Sequence, residues 1–67
     1  MNANLQPHQQ RVVIEKSEID NRISKLVDFF ETDIFSTLDD QEQGRLKRQA
    51  VIMKDYSDVL QERIDSF

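Results

Sequence analysis

Apolar residues recur in the first half of the chain at Val12, Ile19, Ile23, Leu26 and Phe30, with gaps of seven, four, three and four. On a helix that spacing draws one stripe in heptad rhythm. A strand does not fit, because neighbours such as Glu15–Lys16 and Asp20–Asn21–Arg22 break any alternation of period two. A second stripe downstream answers the first. Leu46, Ala50, Met53, Leu60, Ile64 and Phe67 fall at gaps of four, three, seven, four and three, and Ser57 fills the seven. The pattern predicts an all-α fold, an antiparallel hairpin of two amphipathic helices.

Local signals set the boundaries. Pro7 suits a first helical turn, where its missing N–H is no loss, and the first helix is expected from about Pro7 to about Glu31. Arg11–Glu15 and Glu18–Arg22 have i,i+4 spacing and are expected to pair on its solvent side. Thr32 to Leu38 reads as the connector, with Ile34 and Phe35 folding under to close the hairpin. Asp39 reads as an N-cap with Glu42 as its capping-box partner, and Thr37 with Asp40 is a second phase of the same signal. The second helix is then expected from about Asp40 to about Ser66, with Gly44 weakening its first turns. Residues 1–6 are expected to form a flexible arm and residues 7–67 a single hairpin domain.

Equal rise per residue fixes the register of such a hairpin: facing residues have numbers summing to about 76. Phe30 faces Leu46, Leu26 faces Ala50, Ile23 faces Met53, Ile19 faces Ser57, and Val12 faces Ile64. Both chain ends meet at the open end of the hairpin, where His8 comes near Phe67 and either caps the core end against it or touches a ligand. A second line on the later helix, Ile52, Tyr56, Val59 and Arg63, lies roughly 100° from the main stripe and outside the two-helix contact. Apolar groups in an exposed line mark a partner surface, and the expected partner is another copy of this chain.

Composition strengthens that expectation. At 67 residues the chain is at most one domain. Chains below roughly 70–80 residues rarely gain enough from one core without staples or partners. There is no Cys and one His, which leaves no disulfide or thiolate metal site. Self-association into a homo-oligomeric helical bundle is the remaining support. No apolar run approaches the roughly 20 residues of a membrane span, and Met-Asn-Ala-Asn-Leu lacks the pattern of a signal peptide. A cytoplasmic protein is expected. The net charge of −4 disfavours duplex nucleic acid as a partner. A small anion needs only a few local cations and N–H groups.

Candidate chemistry is sparse. Pro7-His8-Gln9-Gln10-Arg11 gathers an imidazole, two amides and a guanidinium on one helix start, a place that suits phosphate; its ordinary reading is a polar first turn. Lys16 interrupts the stripe between Val12 and Ile19. A cation there specifies register, reaches an anion between helices, or snorkels outward, and snorkelling is favoured. Tyr56 and Arg63 are placed to frame a nucleotide by stacking and phosphate pairing. No nucleophile–base arrangement, phosphate loop or Glu-x-x-His motif is present, so no enzyme, catalytic residue, metal or cofactor is expected.

Pro7-His8-Gln9-Gln10-Arg11-Val12, Glu15-Lys16, Phe29 or Phe30, and then Glu42-Gln43, Leu46, Gln49, Met53, Tyr56, Leu60 and Arg63-Ile64 resemble the small helical "related proteins" of crAss-like phages. The likeness spans about residues 7–66, and its His-Gln-Gln-Arg-Val opening is the most specific part. That family is in turn similar to the helical-hairpin anti-CBASS and anti-Thoeris sponges. Those phage proteins sequester cyclic oligonucleotides or cyclic ADP-ribose species in homo-oligomers without cleaving them. The aromatic-rich N-terminal segment of the anti-CBASS type is missing from this sequence. Base stacking then falls to Tyr56, a Phe or an Arg.

The resemblance implies a non-enzymatic sponge holding a nucleotide-derived messenger between hairpins. Arg11, Lys16 and Arg63 would bind phosphate, His8 and Gln9 would add hydrogen bonds, and Tyr56 would stack. The competing expectation is a helical interaction module that binds a host protein through Ile52, Tyr56 and Val59.

Overall fold

Helix α1, Pro7–Phe30, begins as the sequence predicts, with Pro7 in the first turn. The structure, a computed structural model, describes residues 4–67. The first half of the expected arm therefore lies outside the described residues. Leu5 and Gln6 are tied to the helix start: Gln10 Nε2 donates to the Leu5 carbonyl at 2.9 Å, and the Gln6 N–H donates to Gln9 Oε1 at 2.9 Å.

The connector is a correction. Residues 33–37 form a third helix, α2, where a folded-under loop was expected. Thr32 makes this possible by serving two helices at once. Its hydroxyl donates to the Phe29 carbonyl at the end of α1 and accepts from the Phe35 N–H at the start of α2. Only one of the two expected apolar residues folds under. Phe35 is buried, with its ring edge-on to Phe29 at 5.9 Å between centroids and tilted against Phe30 at 5.0 Å. Ile34 points out, 64% exposed. Gln43 seals the end of α2 by donating from Nε2 to the carbonyls of Phe35 and Leu38.

Helix α3, Asp40–Asp65, starts at the predicted cap. Asp39 accepts from the Glu42 N–H at 2.7 Å, but the Glu42 carboxylate turns to Arg45 at 2.8 Å instead of closing a capping box. Thr37 donates to the Ile34 carbonyl, so the alternative cap phase is unused. Gly44 lies inside α3 with no positive φ.

The chain is all-helical among the described residues, and α1 packs against α3 as a rod of 48 × 16 × 15 Å. The register holds. Ser57 bonds Lys16 and Asp20, which lie on either side of Ile19, its predicted opposite number. The interior is small. Val12, Phe35 and Leu60 are the buried apolar residues, joined by Ser57, while Ile23, Leu26, Ala50 and Met53 are only half-buried.

Leu60 is fully covered, so Leu60→Ala should destabilise by about 2–5 kcal/mol. Leu26→Ala and Ile23→Ala should cost less, because water already reaches both side chains. Urea unfolding checks the order, and a loss at Leu60 below that at Leu26 would contradict this packing.

Candidate functional site

The chain has five arginines, and helical geometry puts Arg11, Arg22, Arg45 and Arg63 on one side of the rod, with Arg48 turned about 60° further round the outside of α3. Arg45 and Arg63 are eighteen residues apart on α3, about five full turns, so they share a bearing. Arg11 and Arg22 are eleven apart on α1, about three turns. Arg48 lies one turn beyond Arg45. In an antiparallel pair the matching flanks of the two helices come to the same side. A recess lined by Glu15, Glu18, Ile19 and Arg22 of α1 with Tyr56 of α3 joins them directly. The only tyrosine thus shares the arginine side. The opposite side carries an apolar shelf on Ile23, Val27, Ala50 and Val51.

Two openings mark the arginine side. The recess at Arg22 and Tyr56 has a volume of about 160 Å³. A larger groove on α3, about 310 Å³, is lined by Arg45, Arg48, Gln49, Ile52 and Met53. Exposed apolar residues interleave with the cations: Ile52 is 59% exposed and Val59 50%. Guanidiniums beside flat or apolar surface match ligands that combine phosphate with a ring.

The residues singled out from sequence divide into two groups. Arg11, Tyr56 and Arg63 lie on the arginine side, and all three are exposed. His8 is exposed at the first turn of α1, and Phe67 is also exposed, so His8 does not cap the core against it. Gln9 spends its side-chain oxygen on the Gln6 N–H. The Gln9 and Gln10 N–H groups both donate to the Gln6 carbonyl, which leaves fewer open donors at this helix start than the sequence implies. Neither the Arg11–Glu15 nor the Glu18–Arg22 pair forms; among the described residues the ion pairs are Lys16–Asp20, Arg45–Glu42 and Lys54–Asp58.

Lys16 does not snorkel. Its ammonium donates to Asp20 Oδ2 at 2.6 Å and to Ser57 Oγ at 3.2 Å, and Ser57 donates onward to Asp20 Oδ1 at 2.5 Å. Ser57 is 3% exposed, so this is a polar layer set into the helix contact. A serine cannot fill an apolar stripe position, and a neighbouring lysine and aspartate satisfy its hydroxyl instead. The Lys16 ammonium, and after it the Ser57 hydroxyl, hold the Asp20 carboxyl below the usual carboxylate range.

Arg22, Arg45, Arg48 and Gln49 were missed as candidates. The signal was present in the bearings of the arginines around each helix, which a reading along the first turn does not pick up.

A family model described as Sequestin matches residues 6–66. No curated protein and no solved structure matches the chain. Among the described residues no helix is long and apolar enough to cross a membrane.

The lowered Asp20 pKa has a pH consequence. A carboxyl whose folded pKa lies below its unfolded value contributes stability above the unfolded pKa, and that contribution is lost as pH falls through the folded one. Asp20→Asn should therefore be less stable than the parent at pH 7, and the gap should shrink as pH drops below about 4. Urea midpoints at pH 7 and pH 3 measure this, and a gap that does not change with pH would remove Asp20 from the polar layer.

Proposed function

Because the chain belongs to the Sequestin family, we propose that it is a phage anti-defence sponge acting in the host bacterial cytoplasm. It sequesters a nucleotide-derived immune second messenger, of the cyclic oligonucleotide or cyclic ADP-ribose type, and does not cleave it. The family name itself suggests sequestration. The finer reading rests on the resemblance of the His8-Gln9-Gln10-Arg11-Val12 opening and the helical pattern after it to phage proteins. One observation supports it above the others: four of the five arginines share one bearing with the only tyrosine, in a chain whose net charge is −4, and Arg22 lines a recess with that tyrosine.

The chemistry follows from that side. Arg11 and Arg63 near the open end of the hairpin offer guanidiniums to phosphate, each capable of paired hydrogen bonds. Tyr56 offers a ring face for a base. His8 and the Gln9 amide nitrogen add hydrogen bonds at the start of α1. Lys16 joins only by releasing Asp20 and Ser57, so it contributes long-range charge. An exposed cation in water gains little from one anion. Tight capture therefore needs enclosure, which a second hairpin laid over Ile52, Tyr56 and Val59 supplies. The other reading, a module that binds a host protein, draws on the same exposed Ile52 and Val59. It predicts indifference to nucleotides and capture of a host chain.

Two measurements follow. The right messenger at a hundred times its Kd should stabilise the protein by about 2.7 kcal/mol in a thermal-shift panel of cyclic di- and trinucleotides and cyclic ADP-ribose isomers. Arg11→Ala should weaken that binding by about 1.5–3 kcal/mol. Stability without ligand should hold, because Arg11 makes no ion pair among the described residues. The ligand should be recovered intact by chromatography. Equal affinity in both proteins would take Arg11 out of the site, and a hydrolysed ligand would make the protein an enzyme.

Assembly is tested separately. Ile52→Asp or Val59→Asp should dissociate an oligomer, because a carboxylate buried at a contact is costly. Light scattering that finds the unaltered protein monomeric at micromolar concentration would refute the shared-pocket arrangement.

A further inference from the structure

The groove on α3 lies apart from the residues assigned to phosphate above. It brings together Arg45, Arg48, the Gln49 amide and an apolar floor of Ile52 and Met53. Like charges one turn apart repel on an exposed helix, and nothing in the fold relieves both arginines. Glu42 reaches Arg45 through Nε at 2.8 Å. The Nη groups of Arg45 and the whole guanidinium of Arg48 have no hydrogen-bond or ion-pair partner among the described residues. Gln49 donates to the Met53 sulfur at 3.8 Å, which sets the amide along the floor of the groove.

We infer that this groove binds one phosphorylated nucleoside unit, with phosphate on Arg45 and Arg48 and the base or ribose against Ile52 and Met53. Planar guanidiniums meet phosphate oxygens in pairs, and an anion placed between the two arginines turns their repulsion into a shared attraction. A polarizable thioether and a branched alkyl group suit the face of a ring. The volume, about 310 Å³, stands at the small end of ligand pockets, which run from roughly 300 to 1,000 Å³. One nucleoside unit fits where a whole cyclic oligonucleotide does not. Tyr56 lies one turn beyond Ile52, so a larger cyclic ligand anchored in the groove extends toward its ring. The inference deepens the sponge reading and rests on it only for the identity of the ligand.

The test follows the arginine Nε–Hε signals of the labelled full chain by NMR during titration with pyrophosphate and, separately, with cyclic tri-adenosine monophosphate. Saturable shifts at Arg45 and Arg48 that exceed those at Arg22 are expected with both probes. Arg48→Gln, an exposed change that leaves the fold intact, should weaken both at least tenfold. Shifts spread evenly over all five arginines, or unchanged affinity in Arg48→Gln, would overturn the groove. If pyrophosphate occupies it and no cyclic nucleotide or cyclic ADP-ribose isomer competes, the groove stands and the sponge reading falls. If the cyclic nucleotide moves only Arg11 and Arg63, the groove falls and the sponge reading stands. If Arg48→Gln splits an oligomer while neither probe binds, the groove is a contact with a second copy, and the ligand inference is wrong.

Discussion

Ser57 sits where the stripe of α3 calls for an apolar side chain, and everything on the outside of the rod depends on how its hydroxyl is satisfied. Sliding α3 by one turn would carry Ser57 away from Lys16 and Asp20, which would keep each other, and leave its hydroxyl unpaired in the helix contact. An unsatisfied buried polar group costs on the order of 1–3 kcal/mol. An apolar stripe alone discriminates less between neighbouring registers, since half-buried residues such as Ile23, Leu26 and Met53 find similar surroundings one turn away. A polar layer of this kind is known chiefly for fixing register, at some cost in stability. Here it sets which levels of α1 and α3 coincide, and so brings Arg22 beside Tyr56.

Much of the fold is legible in the sequence because it is written in local chemistry. The two stripes, Pro7 in the first turn, the Asp39 cap and the antiparallel register each come from a few adjacent or periodic residues. What escapes is tertiary. Thr32 ends one helix and starts another, and its second role appears only when Phe35 has rings from α1 to pack against. Lys16 reads as a snorkelling cation because the sequence does not show that Ser57, forty-one positions away, needs a donor. The expected pairs of Arg11 and Arg22 have the right spacing, but i,i+4 pairs are worth only a few tenths of a kcal/mol, too little to hold long exposed side chains.

The candidate site was half legible. Arg11, Tyr56 and Arg63 stand out as single residues, whereas Arg45 and Arg48 are ordinary helix charges until the bearings of all five arginines are compared. Net charge misleads in the same way. It averages the whole chain, whereas a ligand within a Debye length of about 10 Å at 0.1 M salt senses mainly the charges nearest to it, which on the arginine side are guanidiniums with Glu15, Glu18 and Glu42 among them. Exposure is the price of that arrangement, since guanidiniums in water hold an anion weakly until something excludes the solvent.

The uneven interior gives the rod a distinctive mechanical character. It is fastened at the turn by Phe35 and toward the open end by Val12, Ser57 and Leu60, whereas the span between, from Ile23 to Phe30 against Leu46 to Met53, is only half-covered. Local opening free energy follows local burial, so this waist is softer than the fastened levels on either side of it. The apolar shelf lies across it, and the Arg45–Met53 groove runs along its α3 half. A molecule settling on the shelf would touch both helices at the level where they are held together least, and would add stiffness where the interior supplies little.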